Sequence, residues 1–220
     1  MMKVLLLNGS SHEKGTTMRA LEEMITVFHS LGVETEVFQL GSRPYADCLQ
    51  CGYCSRAGHC VIKDDGVNEF VEKAAGADGF IFATPTYYAH PSGRILTFLD
   101  RVFYSNRPDG NRYQAFKFKP GAAVAVARRA GTSATLDALN KYFGISGMPV
   151  AGSTYWNDAF GLEAGEVPQD EEGMQTLRNL ARNLVWLMKC IEKGKDGGVP
   201  YPEMETASVT NFIKRTDARR

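Results

Sequence analysis

The chain has 220 residues, 44% of them apolar and 23% charged, the composition of a globular domain with one substantial core. Its 25 basic and 25 acidic side chains cancel, so the bulk charge offers no electrostatic footprint for nucleic acid. The opening apolar run from Val4 to Leu7 is too short for a signal-peptide core, and no stretch reaches the length of a bilayer span; the expectation is a cytoplasmic protein with neither a membrane nor a nucleic-acid partner.

Residues 3–8 are an apolar run long enough for a buried strand, followed by a Gly/Ser/Thr loop over residues 9–17. Met18, Leu21, Ile25 and Phe28 recur at helical spacing as far as Leu31, and Gly32 closes that helix. Residues 33–40 alternate as an edge strand. Beyond a cysteine-rich segment, Asp64 or Asp65 is placed to cap a helix ending near Ala75. Residues 78–84 read as a third strand, and Ser92 as the cap of a helix carrying Ile95, Leu96, Phe98, Leu99, Val102 and Phe103. The polar stretch 105–120 reads as a loop, 122–127 as a fourth strand, and 132–143 as a helix with Leu136, Leu139, Tyr142 and Phe143 inward. A fifth, weaker strand is expected at 149–154, a loop at 155–169, and a long helix at 170–193 with Met174, Leu177, Ala181, Leu184, Met188 and Ile191 on one face. Cys190, among apolar neighbours on that helix, is expected to be buried. Residues 1–193 make one domain, and the Gly- and Pro-containing tail 194–220 is expected to wrap a surface. Strands alternating with helices predict an α/β fold, a parallel sheet with helices on both faces, and a ligand beyond the carboxyl ends of the strands.

The loop Asn8-Gly9-Ser10-Ser11-His12-Glu13-Lys14-Gly15-Thr16-Thr17 joins a strand to a helix. A helix N-terminus presents unpaired N–H groups at a positive dipole end, so this loop suits a phosphate held by neutral donors, or is a plain capped turn. It is not a nucleotide P-loop: five residues separate Gly9 from Gly15, and no Lys-Ser/Thr pair follows. Thr84 precedes Pro85 and is biased toward extended backbone, presenting Thr86, Tyr87 and Tyr88 either to a flat ligand or as a roof for the sheet. Arg128 and Arg129 end the fourth strand, facing a ligand or solvent. His90 is a loop residue that could also donate a proton.

These segments, together with Asp100-Arg101, resemble the NADPH-dependent FMN reductase and iron–sulfur flavoprotein branch of the flavodoxin-like superfamily over roughly residues 2–193. The resemblance implies a three-layer sandwich with a five-stranded parallel sheet in the order 2-1-3-4-5. It implies FMN as cofactor, with Ser10, Gly15, Thr16 and Thr17 at its phosphate. Pro85, Thr86, Tyr87 and Tyr88 would line the flavin, and Arg128, Arg129 and Gly131 would close its other edge. The arginine usual after the first Gly-Ser is missing, and His12 or Lys14 stands in for it.

Cys48, Cys51, Cys54 and Cys60 are spaced C-x2-C-x2-C-x5-C. Close runs of this kind wrap an iron–sulfur cubane; the spacing resembles the compact motif of iron–sulfur flavoproteins, implying a 4Fe-4S cluster. Zinc, a redox disulfide and free thiols are the alternatives. The resulting expectation is an oxidoreductase fed by NAD(P)H or a ferredoxin-like one-electron donor. It would reduce a small-molecule electron acceptor such as a quinone, a free flavin, a nitro or azo compound or an oxygen species. The alternatives are an electron carrier that docks on redox partners and a flavin-loaded regulatory module. A homodimer or tetramer is expected, with Trp156 completing a neighbour's site.

Overall fold

The computed structural model describes residues 1–106, 113–205, 208 and 210. Five parallel strands build the sheet: β1 (Lys3–Asn8), β2 (Glu34–Gln39), β3 (Gly79–Tyr87), β5 (Gly121–Ala127) and β6 (Asp158–Phe160), in the spatial order β2-β1-β3-β5-β6. A two-residue strand, β4 (His90–Pro91), folds back antiparallel on the end of β3. The chain steps to opposite sides of β1 when it makes β2 and β3, which creates the reversal of strand order where ligands bind.

The central strands β1, β3 and β5 are buried on both faces and read as continuous apolar runs, as sheets covered by helices do. Their alternation sorts the core into two chemistries. Val4, Leu6, Ile81, Ala83, Val124 and Val126 face α1 (Thr16–Ser30) and α6 (Glu171–Asp196), an aliphatic layer. Leu5, Leu7, Phe80, Phe82, Ala123 and Ala125 face α3 (Val67–Ala75), α4 (Gly93–Ser105) and α5 (Thr132–Ile145). This second layer is aromatic: Phe82 stacks on Phe143 at 4.9 Å, and Phe103 meets Phe116 at 4.5 Å. Such pairs add about 0.5–1.5 kcal/mol beyond area burial.

Several boundaries move from their sequence expectations. Helix α1 begins at Thr16, directly after Gly15, which is still extended, and no side chain caps it. Gly66, in the left-handed region at φ 78°, precedes α3; Asp65 Oδ1 accepts from Val67 N at 3.4 Å, as expected of a residue ahead of the helix, and the same carboxylate also pairs with Arg101. A one-turn helix, α2 (Cys54–Ala57), sits inside the cysteine segment. The expected fifth strand at 149–154 makes a single bridge, Val150 to Gly121. Asn183 Nδ2 then holds the Gly152 carbonyl, Ser153 Oγ donates to the Thr176 carbonyl, and α6 draws the chain off the sheet edge. The pairing resumes as β6, with Asp158, Ala159 and Phe160 beside Ala125, Val126 and Ala127. Ser92 caps α4 as expected, and Asp170, expected as the first residue of the long helix, is instead the cap of α6. Helix α6 continues to Asp196, and Cys190 lies on its exposed side, because Leu184, Val185 and Met188 fill the inner stripe. The expected loop 105–120 and tail from 194 lie partly outside the described residues; within them, Ser105 ends α4 and Tyr201 stacks on Phe118 at 4.6 Å.

At the end of β1, Gly9 N donates to the Ala83 carbonyl at 2.8 Å. A β-carbon on Gly9 would stand 2.9 Å from that carbonyl oxygen and 2.8 Å from Ile95 Cδ1. Gly9→Ala is therefore expected to lose about 1–3 kcal/mol, the usual weight of overpacking, read as a lower urea midpoint at unchanged slope. An unchanged midpoint would mean that the loop has slack there.

Candidate functional site

The loop after β1 is built before any ligand arrives. Asn8 Nδ2 donates to Gln39 Oε1 at 2.6 Å, and Gln39 Nε2 donates to the Ser10 carbonyl at 2.6 Å. Ser10 N donates to Asn8 Oδ1 at 3.1 Å, and His12 N to Ser10 Oγ at 3.1 Å. A buried side chain, Asn8, and a half-buried one, Gln39, from neighbouring strands thus fix the path of residues 8–12. The loop delivers the chain to Gly15, whose carbonyl receives Arg19 N at 3.0 Å as α1 begins. With no side-chain cap and no acidic residue in the first turn, the helix end keeps its unpaired N–H groups and its positive dipole, the two properties that bind anions.

That helix end opens into a cleft of about 930 Å³ at the carboxyl edge of the sheet, within the usual range for a cofactor or ligand site. Loops from all five parallel strands line it: Ser10, His12, Gly15 and Thr16 after β1, Gly41 and Ser42 after β2, Pro85 to Tyr87 on β3, Arg128 after β5, and Gly161 to Ala164 after β6. Nine of the sequence-derived candidates therefore meet in one place: Ser10, His12, Lys14, Gly15, Thr16, Pro85, Thr86, Tyr87 and Arg128. Thr17 lies one residue deeper, fully buried, and its Oγ1 has no hydrogen-bond partner; the buried Oγ1 of Thr86 is in the same condition. Each such hydroxyl costs free energy where it stands; Thr86 carries its unused donor in the cleft wall, and Thr17 carries its own one residue beyond the lining residue Thr16.

Strand β3 runs straight through Pro85, as the Thr84-Pro85 pair predicts. Its pairing with β1 ends at Ala83, so the missing proline N–H takes nothing from that ladder. The hairpin that follows turns at Tyr88 and Ala89, both left-handed at φ 52° and 58°. Such turns favour Asn-Gly, and holding two side-chain-bearing residues there is strain that surrounding structure must supply. Gly131 supplies part of it: a β-carbon there would stand 2.7 Å from Ala89 Cα. Gly131 thus braces the hairpin, and Tyr88 projects fully into solvent. Arg129 and Tyr88 lie outside the cleft lining, His90 is exposed and pairs with Tyr87, and Tyr155 and Trp156 are exposed nearby in sequence to the β6 loop. Gly41, Ser42 and Leu162 to Ala164 were not singled out from sequence, although the rule that ligands bind at strand carboxyl ends marks every such loop.

All four clustered cysteines line one second, smaller pocket, with Leu49, Val61, Ile62, Arg101 and Tyr104. The chain turns between them at Gln50, Gly52 and Gly58, all left-handed. Cys48 and Cys51 are exposed, Cys60 is half-buried and Cys54 is buried, its Sγ facing the Tyr104 carbonyl. None is in a disulfide. Among the described residues no group of three or more His, Cys, Asp or Glu side chains is gathered closely enough to hold a metal ion.

The doubly covered parallel sheet, its order and its cleft at the strand reversal define a flavodoxin-like protein. Residues 2–163 match the family model of NADPH-dependent FMN reductases, and the chain belongs to that family. It is 31% identical to an iron–sulfur flavoprotein of Methanocaldococcus jannaschii, over 87% of this chain and all of the relative. It is 30% identical to an iron–sulfur flavoprotein of Methanosarcina thermophila, over 89% of this chain and all of the relative. The fold is also shared with RosB, solved with 8-demethyl-8-formylriboflavin-5'-phosphate bound, at 15% identity and a TM-score of 0.66 over all of this chain and 94% of that one.

Beneath the cleft, the Asp158 carboxylate is buried and accepts from Thr132 Oγ1 at 2.6 Å. Burial pushes its pKa above the usual carboxylate value; Thr132 opposes that, and nearby Asp170 and Glu172 add to it. A carboxyl that binds its proton more tightly when folded stabilises the fold at acid pH, and the contribution is lost as pH rises through the raised value. Asp158→Asn keeps an acceptor for Thr132 and removes the charge. Its stability relative to wild type should therefore grow between pH 4 and pH 7 in urea titrations, with the two proteins converging at the acid end. A variant whose deficit widens toward pH 7 would contradict this account.

Proposed function

We propose that the chain is an FMN-dependent oxidoreductase whose cofactor phosphate sits on residues 9–17 and whose flavin ring lies between the β3 and β5 loops. The observation that carries this reading is the uncapped N-terminus of α1, opening into a cleft lined by every strand-end loop. The unpartnered hydroxyls of Thr17 and Thr86 support it. The helix N–H groups and the hydroxyls of Ser10, Thr16 and Thr17 would hold the phosphate; His12 and Lys14 would supply charge from the rim. Pro85, Thr86 and Tyr87 would border the ring, Tyr88 would hang over its outer side, and Arg128 would face its polar edge. FMN, when bound, supplies hydride and single-electron chemistry, so this chain's residues have to bind, orient and shield rather than act as nucleophile or base. NAD(P)H or a one-electron carrier is the donor, and a quinone, flavin, nitro or azo compound or oxygen species is the acceptor.

The proposal includes a 4Fe-4S cluster on Cys48, Cys51, Cys54 and Cys60. Its support is that the four thiols line a common pocket with apolar walls and that the relatives named above are iron–sulfur flavoproteins. A cubane spreads its four thiolates further apart than a single ion does, which suits thiols that share a pocket without closing on one point.

Thr17→Val exchanges a buried hydroxyl that has no protein partner for a methyl group of the same shape. The flavin-free variant should match or exceed wild-type stability, while FMN affinity falls tenfold or more, the weight of a hydrogen bond to a charged group at about 1.5–3 kcal/mol. Equal affinity in equilibrium titration would place the phosphate elsewhere. Anaerobic reconstitution with iron and sulfide should load about four irons per chain, and Cys51→Ala should lose them while keeping its flavin. Stoichiometric zinc, or a metal-free wild type, would reject the cluster.

A further inference from the structure

Arg101 is 1% exposed, among the largest fully buried side chains of the protein, and lies outside the flavin cleft. It stands on the third turn of α4, inside the thiol pocket. Its Nη1 donates to the Ala46 carbonyl at 3.2 Å and pairs with Asp65 Oδ2; its Nη2 donates to Asp65 Oδ1 at 3.2 Å, to the Ile62 carbonyl at 3.4 Å and to Cys60 Sγ at 3.2 Å. One guanidinium thus ties both ends of the cysteine segment, residues 46 and 60–65, to a helix of the main core. Two features exceed what such a clamp needs. A neutral donor would serve the carbonyls, yet the residue is a buried cation. Its charge is also shared between a carboxylate and a cysteine sulfur, both within hydrogen-bond reach of one guanidinium.

The geometry points to Arg101 as a positioning residue for the thiolate pocket, a buried cation that holds Cys60 in place and sets the reduction potential of the cluster ligated there. The inference rests on the cluster reading given above. Reduction adds one electron to the cluster, breaks no iron–sulfur bond, and makes the four-thiolate assembly more negative by one charge. A cation in hydrogen-bond contact with one ligand sulfur favours that state and raises the potential; Asp65 on the far side of the guanidinium offsets part of the effect. In a low-dielectric pocket neither charge is screened as it would be in water.

Removing the two charges must therefore move the potential in opposite directions, which loosening of the loop would not do. The test is anaerobic reconstitution with iron and sulfide, then iron analysis and a redox titration with dithionite followed by paramagnetic resonance. The proteins are wild type, Arg101→Gln, Arg101→Lys and Asp65→Asn. The expected order is Arg101→Gln below wild type and Asp65→Asn above it, each by at least a threefold change in the reduction equilibrium, about 30 mV at 59 mV per decade. Arg101→Lys, which keeps the charge, should lie near wild type. If Arg101→Gln does not fold, Asp65→Asn alone decides, since it keeps every Arg101 contact to carbonyl and sulfur. Four irons per chain with unmoved potentials, or shifts of the same sign in Arg101→Gln and Asp65→Asn, would overturn this inference alone. A wild type that takes up no iron would overturn the cluster reading together with it.

Discussion

Ser92 holds the cleft together. Its Oγ donates to the Gly9 carbonyl at 2.9 Å, its backbone N–H donates to Thr84 Oγ1 at 3.1 Å, and its side chain caps α4 by accepting from Ile95 N. One hydroxyl thereby joins the loop after β1, the end of β3 and the start of α4, and all of its partners are buried. Gly9 must lack a side chain for this contact to form, because its backbone lies against Ala83 and Ile95. The Gln39 bridge from β2 completes the arrangement from the other side. Loops that would otherwise be mobile are fixed from three directions, so a phosphate bound there meets donors already in place. Preorganisation of this kind spares a ligand the ordering cost that flexible loops exact.

Helix α4 also connects the two candidate sites. Its first turn supports the phosphate loop through Ser92, and its third and fourth turns supply Arg101, Tyr104 and Ser105 to the thiol pocket. The apolar face between them, Ile95, Phe98, Leu99 and Val102, is fully buried in the aromatic layer. A helix anchored this way keeps cleft and pocket in a fixed relation, which the proposed flavin and cluster would need in order to exchange electrons. The aliphatic layer under α1 and α6 has no comparable duty: it supports the sheet and the start of α1.

What was legible in the sequence was whatever depends on periodicity and local capping. The apolar spacing of α1, α4 and α6, the Ser92 cap, and the straight exit through Thr84-Pro85 are all short-range physics. The strand order followed from a resemblance carried by the loops themselves. What was hidden depends on distant partners. Three-residue β6 has no pattern of its own and exists because Ala125 to Ala127 offer an edge. The 149–154 segment has strand-like residues, but Asn183 on α6 holds its Gly152 carbonyl and the Thr176 carbonyl takes its Ser153 hydroxyl. Asp65 reads as a helix cap and does accept from Val67 N, but its pairing with Arg101, 36 residues away, has no local signal. Arg101 looked like one half of a motif on an amphipathic helix, where a charge is normally solvated. Gly131 looked like a ligand contact, and its packing against Ala89 makes it a brace for the hairpin.

The account turns on a phosphate being recognised at the start of α1. Equilibrium titration of flavin-free protein with FMN, riboflavin and FAD tests that most directly, since the three share one ring system and differ at the position the loop would hold. The account predicts tight binding of FMN and binding of riboflavin weaker by at least tenfold, the loss expected when hydrogen bonds to a charged group are forgone. FAD, whose phosphate carries an adenylate, should also bind more weakly than FMN. Equal affinity for riboflavin and FMN would contradict it.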